Sequence, residues 1–444
     1  MLYKEDAIMI NFFLLRMRLN GIKSISTPIE LEFYNKILTS FNPELYRVKA
    51  IYGENGSGKT GIVTAVSIIK KIVLSRDYLR QVETQSLLAE LINKKNNKLA
   101  LEVQFAKYYE EDKDIDVYRY GIEISKVGDS YEITNEYLNC IYNYTKYKKE
   151  KLGFCIEEGV IKALNGTQEL HDIVEKNTMN TLSEKSFVSR LVFMDEIADS
   201  RLFLDALAVF VFWITISTYL DEEDMHEMYL IMKMIRDPNK QIDDKGMMDS
   251  FVNRQINYLD SKGRDVVDKK NIDEYEKKVR RLEKFLKIYK HDLKSITIEK
   301  RDNGDNYICE LILNYADFSV NREFESTGIK KLIKMFDCLA NVDKGGIGFI
   351  DEMDSNLNDI YLCKMIEYFM YYGKGQLCFT THNLDPMTVL KNNRNSIDFL
   401  SSDNTITSWK ITGNAAPDKY YKNGMIEHSP FNVEPSDFIG MFGE

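Results

Sequence analysis

Apolar residues in the first part of the chain fall into short runs at 12–19, 29–34 and 48–52, rich in β-branched and aromatic side chains, and predict strands. Directly after the third run the period changes. Ile62, Val66, Ile69 and Val73 recur at helical spacing, so a helix follows. Two further strands are expected at 99–105 and 117–124, separated by the charged turn 109–114. From about residue 141 the pattern alters again, with long helical periods between about 185 and 295 and almost no glycine between Gly166 and Gly246. In the helix expected over 272–293, Ile272, Tyr275, Val279, Leu282, Leu286, Tyr289 and Leu293 step by 3, 4, 3, 4, 3 and 4. Such an a/d seam suits a helical hairpin or short coiled coil, and equally an amphipathic helix laid on a core. Strand signals return at 295–299 and 307–314, around a hairpin turn at 302–305. A helix carrying Ile329, Leu332, Ile333 and Phe336 then precedes the apolar run 347–350. Beyond it lie a helix with Leu357, Tyr361, Met365 and Phe369 on one face, a stop at Gly373, and a strand Gln376–Thr380.

Between the third strand and the first helix stands Gly53-Glu54-Asn55-Gly56-Ser57-Gly58-Lys59-Thr60, which matches G-x-x-x-x-G-K-[ST] without departure. In such a strand–loop–helix arrangement, backbone N–H groups and the helix N-terminus face phosphate. Lys59 is expected on the terminal phosphates of a nucleotide and the Thr60 hydroxyl on Mg2+.

The apolar run 347–350 ends in Asp351-Glu352. Asp351 is the candidate for holding Mg2+ through water, and Glu352 for polarising an attacking water. Thr380-Thr381-His382 follows, and the interval between Asp351 and His382 has room for one helix and one strand. That spacing puts His382 beside Asp351 on a neighbouring parallel strand, at the sheet edge where nucleotides bind, as a sensor of the terminal phosphate.

The 444 residues suffice for two domains or one with a large insertion. Hydrophobic content of 44% and charged content of 29% are those of a soluble globular chain. Six scattered cysteines without a C-x-x-C pair read as buried thiols in a reducing cytoplasm, and no zinc site is expected. The first ten residues carry Lys4, Glu5 and Asp6 and form no secretory signal. The most apolar stretch, 206–216, is fenced by Asp205 and the acidic run 221–224; it is about half a membrane span and reads as a buried helix.

A net charge of −10 excludes a uniformly basic nucleic-acid coat. Locally, however, residues 269–301 hold 12 Lys/Arg against 6 Asp/Glu. Lys277, Lys278, Arg280, Arg281, Lys284 and Lys287 are candidates for phosphate-backbone contact, or simply a solvated helix face. The interleaved aromatic and basic stretch 142–151 reads as a polar loop.

An intact phosphate loop, a long inserted segment, Glu325-Ser326-Thr327-Gly328, an acidic strand and a His, in that order, resemble the ATPase heads of the ABC type shared by SMC proteins, RecF and OLD-family ATPases. The resemblance covers about 10–140 and 296–415. It implies an α/β fold, an ABC-type P-loop ATPase head of mixed β-sheets with flanking helices and a largely helical insertion carrying the heptad helix. The corresponding domains are 1–140, 141–295 and 296–444. It also implies that Ser326 and Gly328 form the signature that touches ATP held by a second subunit, although the sequence departs from LSGGQ. The stretch 354–358 is similar to the loop after the acidic strand, with Asn358 where many relatives carry His. The Gln loop is not placed.

Within the group, Glu325–Gly328, the D-E-M-D strand end and the closing stretch 420–431 most resemble phage-defence ATP-binding proteins of the AriA, RloA and AbiLi types. The stretch 383–444 after His382 is too short for the Toprim domain of OLD nucleases, so an effector is expected as a separate protein, a Toprim-type nuclease or a toxin. The resemblance therefore implies a cytoplasmic, slow, ATP-dependent dimerising ATPase, a homodimer or higher homo-oligomer without membrane contact that regulates such an effector. The alternative is a RecF- or SMC-like clamp whose output is DNA binding.

Overall fold

The computed structural model describes residues 11–75, 77–178, 182–220, 264–393, 395–410, 416–426, 429 and 441. The first ten residues, the acidic run 221–224 and most of the closing stretch past 426 lie outside them. β1 (Asn11–Asn20) and β2 (Ile29–Glu32) precede β3 (Val48–Gly53), which leads into α1 (Lys59–Leu74). After α2 (Val82–Leu91) come β4 (Lys98–Tyr109), β5 (Asp114–Val127), β6 (Ser130–Ile141), β7 (Lys151–Glu157) and β8 (Val160–Leu164). Helices α3 (Gln168–Thr178), α4 (Phe187–Leu191) and α5 (Arg201–Thr215) follow, then β9 (Ile216–Tyr219). The next described elements are β10 (Asp265–Asp268), α6 (Ile272–Tyr289), β11 (Ser295–Asn303), β12 (Asn306–Asn314), β13 (Ser319–Asn321) and α7 (Thr327–Asp343). Then come β14 (Ile347–Ile350), α8 (Asp359–Tyr371), β15 (Gln376–Thr380), α9 (Asp385–Leu390), β16 (Ile397–Leu400), β17 (Ile406–Ser408) and α10 (Pro417–Lys422).

Contacts divide this α/β chain into two compact units. The first comprises Met1–Leu230, Cys338–Asp354 and Asn358–Glu444, and the second Ile231–Asp337 and Ser355–Leu357. These divisions fall elsewhere than the expected boundaries at 140/141 and 295/296. Residues 151–164 supply β7 and β8 to a sheet begun by the N-terminal strands, and β9 pairs with β14, so residues 141–220 pack with the first unit rather than with an insertion.

Among the described residues the first unit holds two sheets. One is antiparallel, in the order β2-β1-β4-β5-β6-β7-β8. Alternate residues of β4 and β6 are buried, as expected where one sheet face packs on a core. The other runs β17-β16-β3-β15-β14-β9, with every neighbouring pair parallel except β16–β17. Every residue of β3, β14 and β15 is buried, the pattern of strands covered on both faces. One hydrophobic core joins both sheets with α1 and α5. At its centre Phe105 stacks on Phe212 with ring centroids 4.0 Å apart, and Phe12 meets Phe105 edge-on. α1 is buried on nearly every side, so its apolar character reflects a position inside the core. α5 is the buried helix expected at 206–216, capped by the Ser200 hydroxyl, which accepts from the Phe203 N–H. Among the described residues no helix is long and apolar enough to cross a membrane.

A side-chain clip ties the two sheets. The pairing of β1 with β4 shifts register between Leu14 and Arg16. There the buried Gln376 amide accepts from the Leu14 N–H at 2.7 Å and donates to the Leu14 carbonyl at 3.0 Å. An amide side chain offers both an acceptor and donors, so it satisfies both backbone groups.

In the second unit the antiparallel sheet runs β10-β12-β11, with β13 also on β12. Tyr275, Val279, Leu282 and Leu286 are the buried face of α6, which lies against β10 and β11. The heptad seam is thus covered within the chain. The hairpin expected at 302–305 is present, with Asn303 paired to Asn306.

Candidate phosphate-binding site

The strand ends Gly53, Ile350 and Thr380 lie at one edge of the parallel sheet, because β14, β15 and β3 run the same way in register. This edge gathers Gly53 to Thr60, Asp351, Glu352 and His382 in the first unit. Gly58 is the N-cap of α1 at φ 108°, and no side chain caps the helix. The first-turn N–H groups are therefore left for an anion. Ser57 is fully buried, and its hydroxyl has no hydrogen-bond partner among the described residues. Lys59 is 6% exposed, and its ammonium donates to the carbonyls of Gly53 and Glu54, both at 2.9 Å. Burial lowers its pKa, against the raising effect of Asp351, Glu352 and Asp354. An uncapped helix, a cation hydrogen-bonded to neutral carbonyls and an orphaned hydroxyl fit a phosphate chain.

Asp351 is buried, and its Oδ1 accepts from the Thr380 hydroxyl at 2.6 Å. Its N–H donates to the Tyr219 carbonyl at 2.9 Å, which anchors it to β9. Glu352 is exposed at φ 44°, a left-handed conformation costing about 1–2 kcal/mol for a non-glycine residue. The chain reverses there: the Glu352 N–H donates to the Thr380 hydroxyl at 2.8 Å and the Met353 N–H to the Thr380 carbonyl at 3.0 Å. The carboxylate of Asp351 and the hydroxyl of Thr60 at the start of α1 are oxygen donors of the hard kind Mg2+ takes.

His382 is exposed at the same edge. Desolvation and, next, the Lys59 charge lower its pKa, opposed by Asp354 and Asp351. Thr381 is held below it by an N–H bond to the Ile51 carbonyl at 3.2 Å. A cleft of about 550 Å³ opens between the loop and α10, lined by Glu54, Asn55, His382, Tyr421 and Lys422 among others. Tyr421 stacks on Phe399 at 5.4 Å, and burial, then the Glu54 charge, push its pKa up to about 12.

Ser326 and Gly328 belong to the second unit, at the start of α7. Ser326 is exposed; its hydroxyl accepts from the Ile329 N–H at 3.4 Å and its carbonyl from the Lys330 N–H at 3.0 Å. A Cβ on Gly328 would sit 2.5 Å from the Asn356 carbonyl oxygen, so close packing also explains that glycine. Asn358 caps α8, accepting from the Ile360 N–H at 3.0 Å.

On α6, Lys278 pairs with Asp337 at 2.6 Å, Lys287 with Glu283 at 2.6 Å and Arg280 with Glu276 at 3.7 Å. Among the described residues Lys277, Arg281 and Lys284 have no ion-pair partner, so half of the basic stripe is neutralised within the chain. Sequence reasoning assigns no role at the site to Thr380, Asp354 or Tyr421. For Thr380 the available signal is its place directly before Thr381-His382.

No family model matches the chain, and no curated protein matches it. Among solved structures it is similar to the recombination mediator protein RecF of the RecFOR pathway. With the form titled RecF-ATPrS the identity is 11%, over 90% of this chain and 99% of that one, at a TM-score of 0.40. With the form titled RecF-ATP the identity is again 11% over the same shares, at a TM-score of 0.37.

Proposed function

We propose that this chain binds ATP with Mg2+ at residues 53–60 and hydrolyses it slowly. The observation that carries this reading is the meeting, at one parallel-sheet edge, of an uncapped helix N-terminus, Lys59, Asp351 and His382. The loop N–H groups and Lys59 bind and orient the phosphates; Thr60 directly and Asp351 through water would hold Mg2+, which would supply charge neutralisation. Glu352 accepts a proton from the attacking water, and His382 contacts the terminal phosphate. Turnover is on the order of 1 s⁻¹ or less, because the bound state serves as a timed conformational signal. The finer reading is a cytoplasmic ATPase that pairs with a second copy through Ser326 and controls a separate effector in phage defence. It rests on the resemblance of residues 325–328 and 351–354 to such proteins.

Binding of a fluorescent ATP analogue and phosphate release test the reading together. Lys59→Ala should abolish binding, while Glu352→Gln should keep binding and stop turnover. A Glu352→Gln variant that turns over at the wild-type rate would remove Glu352 as the base. Pairing is tested by light scattering of Glu352→Gln with ATP, where adding Ser326→Arg should prevent association.

A further inference from the structure

We propose that Thr380 is a positioning residue that sets the cation-binding geometry of Asp351 and the placement of Glu352; this rests on the nucleotide reading above. Thr380 is fully buried at the last position of β15. Its hydroxyl has one proton, which goes to Asp351 Oδ1 at 2.6 Å, while its oxygen accepts from the Glu352 N–H at 2.8 Å. Its carbonyl accepts from the Met353 N–H at 3.0 Å. One residue of β15 therefore holds three consecutive residues of the neighbouring acidic turn. The Asp351 bond occupies one lone pair of one oxygen, which restrains the carboxylate and leaves its other lone pairs for a metal-bound water. The Glu352 bond helps to retain a left-handed backbone that the residue does not prefer. Outer partners of this kind orient metal ligands, and their loss typically reduces metal affinity about 10–100-fold.

Thr380→Val keeps the shape and removes the hydroxyl, and Thr380→Ser keeps the hydroxyl. The full chain is titrated with a fluorescent ATP analogue in excess Mg2+ and again in EDTA. The ratio of the two dissociation constants measures how strongly Mg2+ supports binding. We expect Thr380→Val to lower that ratio at least about tenfold with EDTA binding nearly unchanged, and Thr380→Ser to restore it. A ratio for Thr380→Val within twofold of wild type overturns the proposal. So does a loss that is equal in Mg2+ and EDTA, the mark of a merely structural role. Should Thr380→Val not accumulate as folded protein, Thr380→Ala carries the same comparison, and a Thr380→Ser variant as impaired as it would refute the hydroxyl's part. A wild-type chain that binds the analogue in neither condition overturns the nucleotide reading itself, an outcome distinct from any ratio.

Discussion

Adding one methyl group at Gly53 and at Gly56 should separate two reasons for glycine in the phosphate loop. A Cβ on Gly53 would lie 2.2 Å from the Leu400 carbonyl oxygen, where ordinary contact begins at 3.4 Å, so β16 must retreat by nearly the whole difference. Neither side can yield cheaply, because Gly53 pairs with Leu400 in the sheet. Stretched by that amount, a 2.8 Å bond such as that from the Ala50 N–H to the Ser396 carbonyl passes out of hydrogen-bond range. With the two groups of one broken bond unsatisfied at about 1–3 kcal/mol each, Gly53→Ala should cost about 2–6 kcal/mol. Gly56 sits at φ 81° with nothing within 4 Å of its would-be Cβ. Gly56→Ala therefore meets only the left-handed penalty of about 1–2 kcal/mol, partly offset by about 0.5–1 kcal/mol of lost unfolded-state freedom. Unfolding entropy of about 2.1 cal/mol/K per residue over the chain makes these about 2–6 °C and about 1 °C in Tm. Scanning calorimetry without nucleotide reads both. A Gly53→Ala protein melting no lower than Gly56→Ala would refute the close approach of β3 and β16.

Gln376→Leu should destabilise the first unit by about 2–4 kcal/mol in urea titrations, because the Leu14 N–H and carbonyl lose their partner in the core. Unchanged stability would show that the clip does not hold the sheets. His382 has a folded-state pKa below its ordinary 6.5, so as pH falls below that value the unfolded chain takes up the proton first. Its contribution to stability is therefore complete at higher pH and declines until pH passes the folded pKa. His382→Gln should flatten that part of a denaturation midpoint series, and a steeper series would contradict the sign. On α6, phosphate contacts from the three unpaired cations would together contribute about −2.7 to the log–log salt slope of duplex-DNA binding. Binding with a slope unaltered by joint Lys277→Glu, Arg281→Glu and Lys284→Glu changes would place the DNA elsewhere.

The strand, glycine loop and helix over 48–74 were legible because G-x-x-x-x-G-K-[ST] stands where the flanking periods switch from strand to helix. The placement of Asp351 beside His382 was legible for a topological reason: parallel neighbours require a crossover, and the interval between them holds one helix and one strand. Residues 141–220 were not. β7, β8 and β9 are short, and β7 and β8 partly exposed, so their alternation is weak, and the place of β9 is decided by β14, a partner far away in sequence. On α6 the Arg280–Glu276 and Lys287–Glu283 pairs stand at i,i+4 spacing and are visible in the sequence, whereas Lys278 finds Asp337 and Glu276 finds Lys300 only after folding. The Gln376 clip and the Thr380 bridge are single side chains, and no periodicity announces them.

The position of β3 has a consequence for synthesis. Its neighbours in the sheet are β15 and β16, made of residues 376–400, so the strand bearing the phosphate loop has neither partner when it leaves the ribosome. At about 5–20 residues per second its edges stay open for roughly 20–70 s while the intervening chain is made. The meander β4 to β8 needs only hairpins and can close early, beginning the other sheet. A nascent chain interrupted before residue 400 therefore carries the complete loop sequence without the sheet edge that shapes it and, on the nucleotide reading proposed above, should not capture nucleotide.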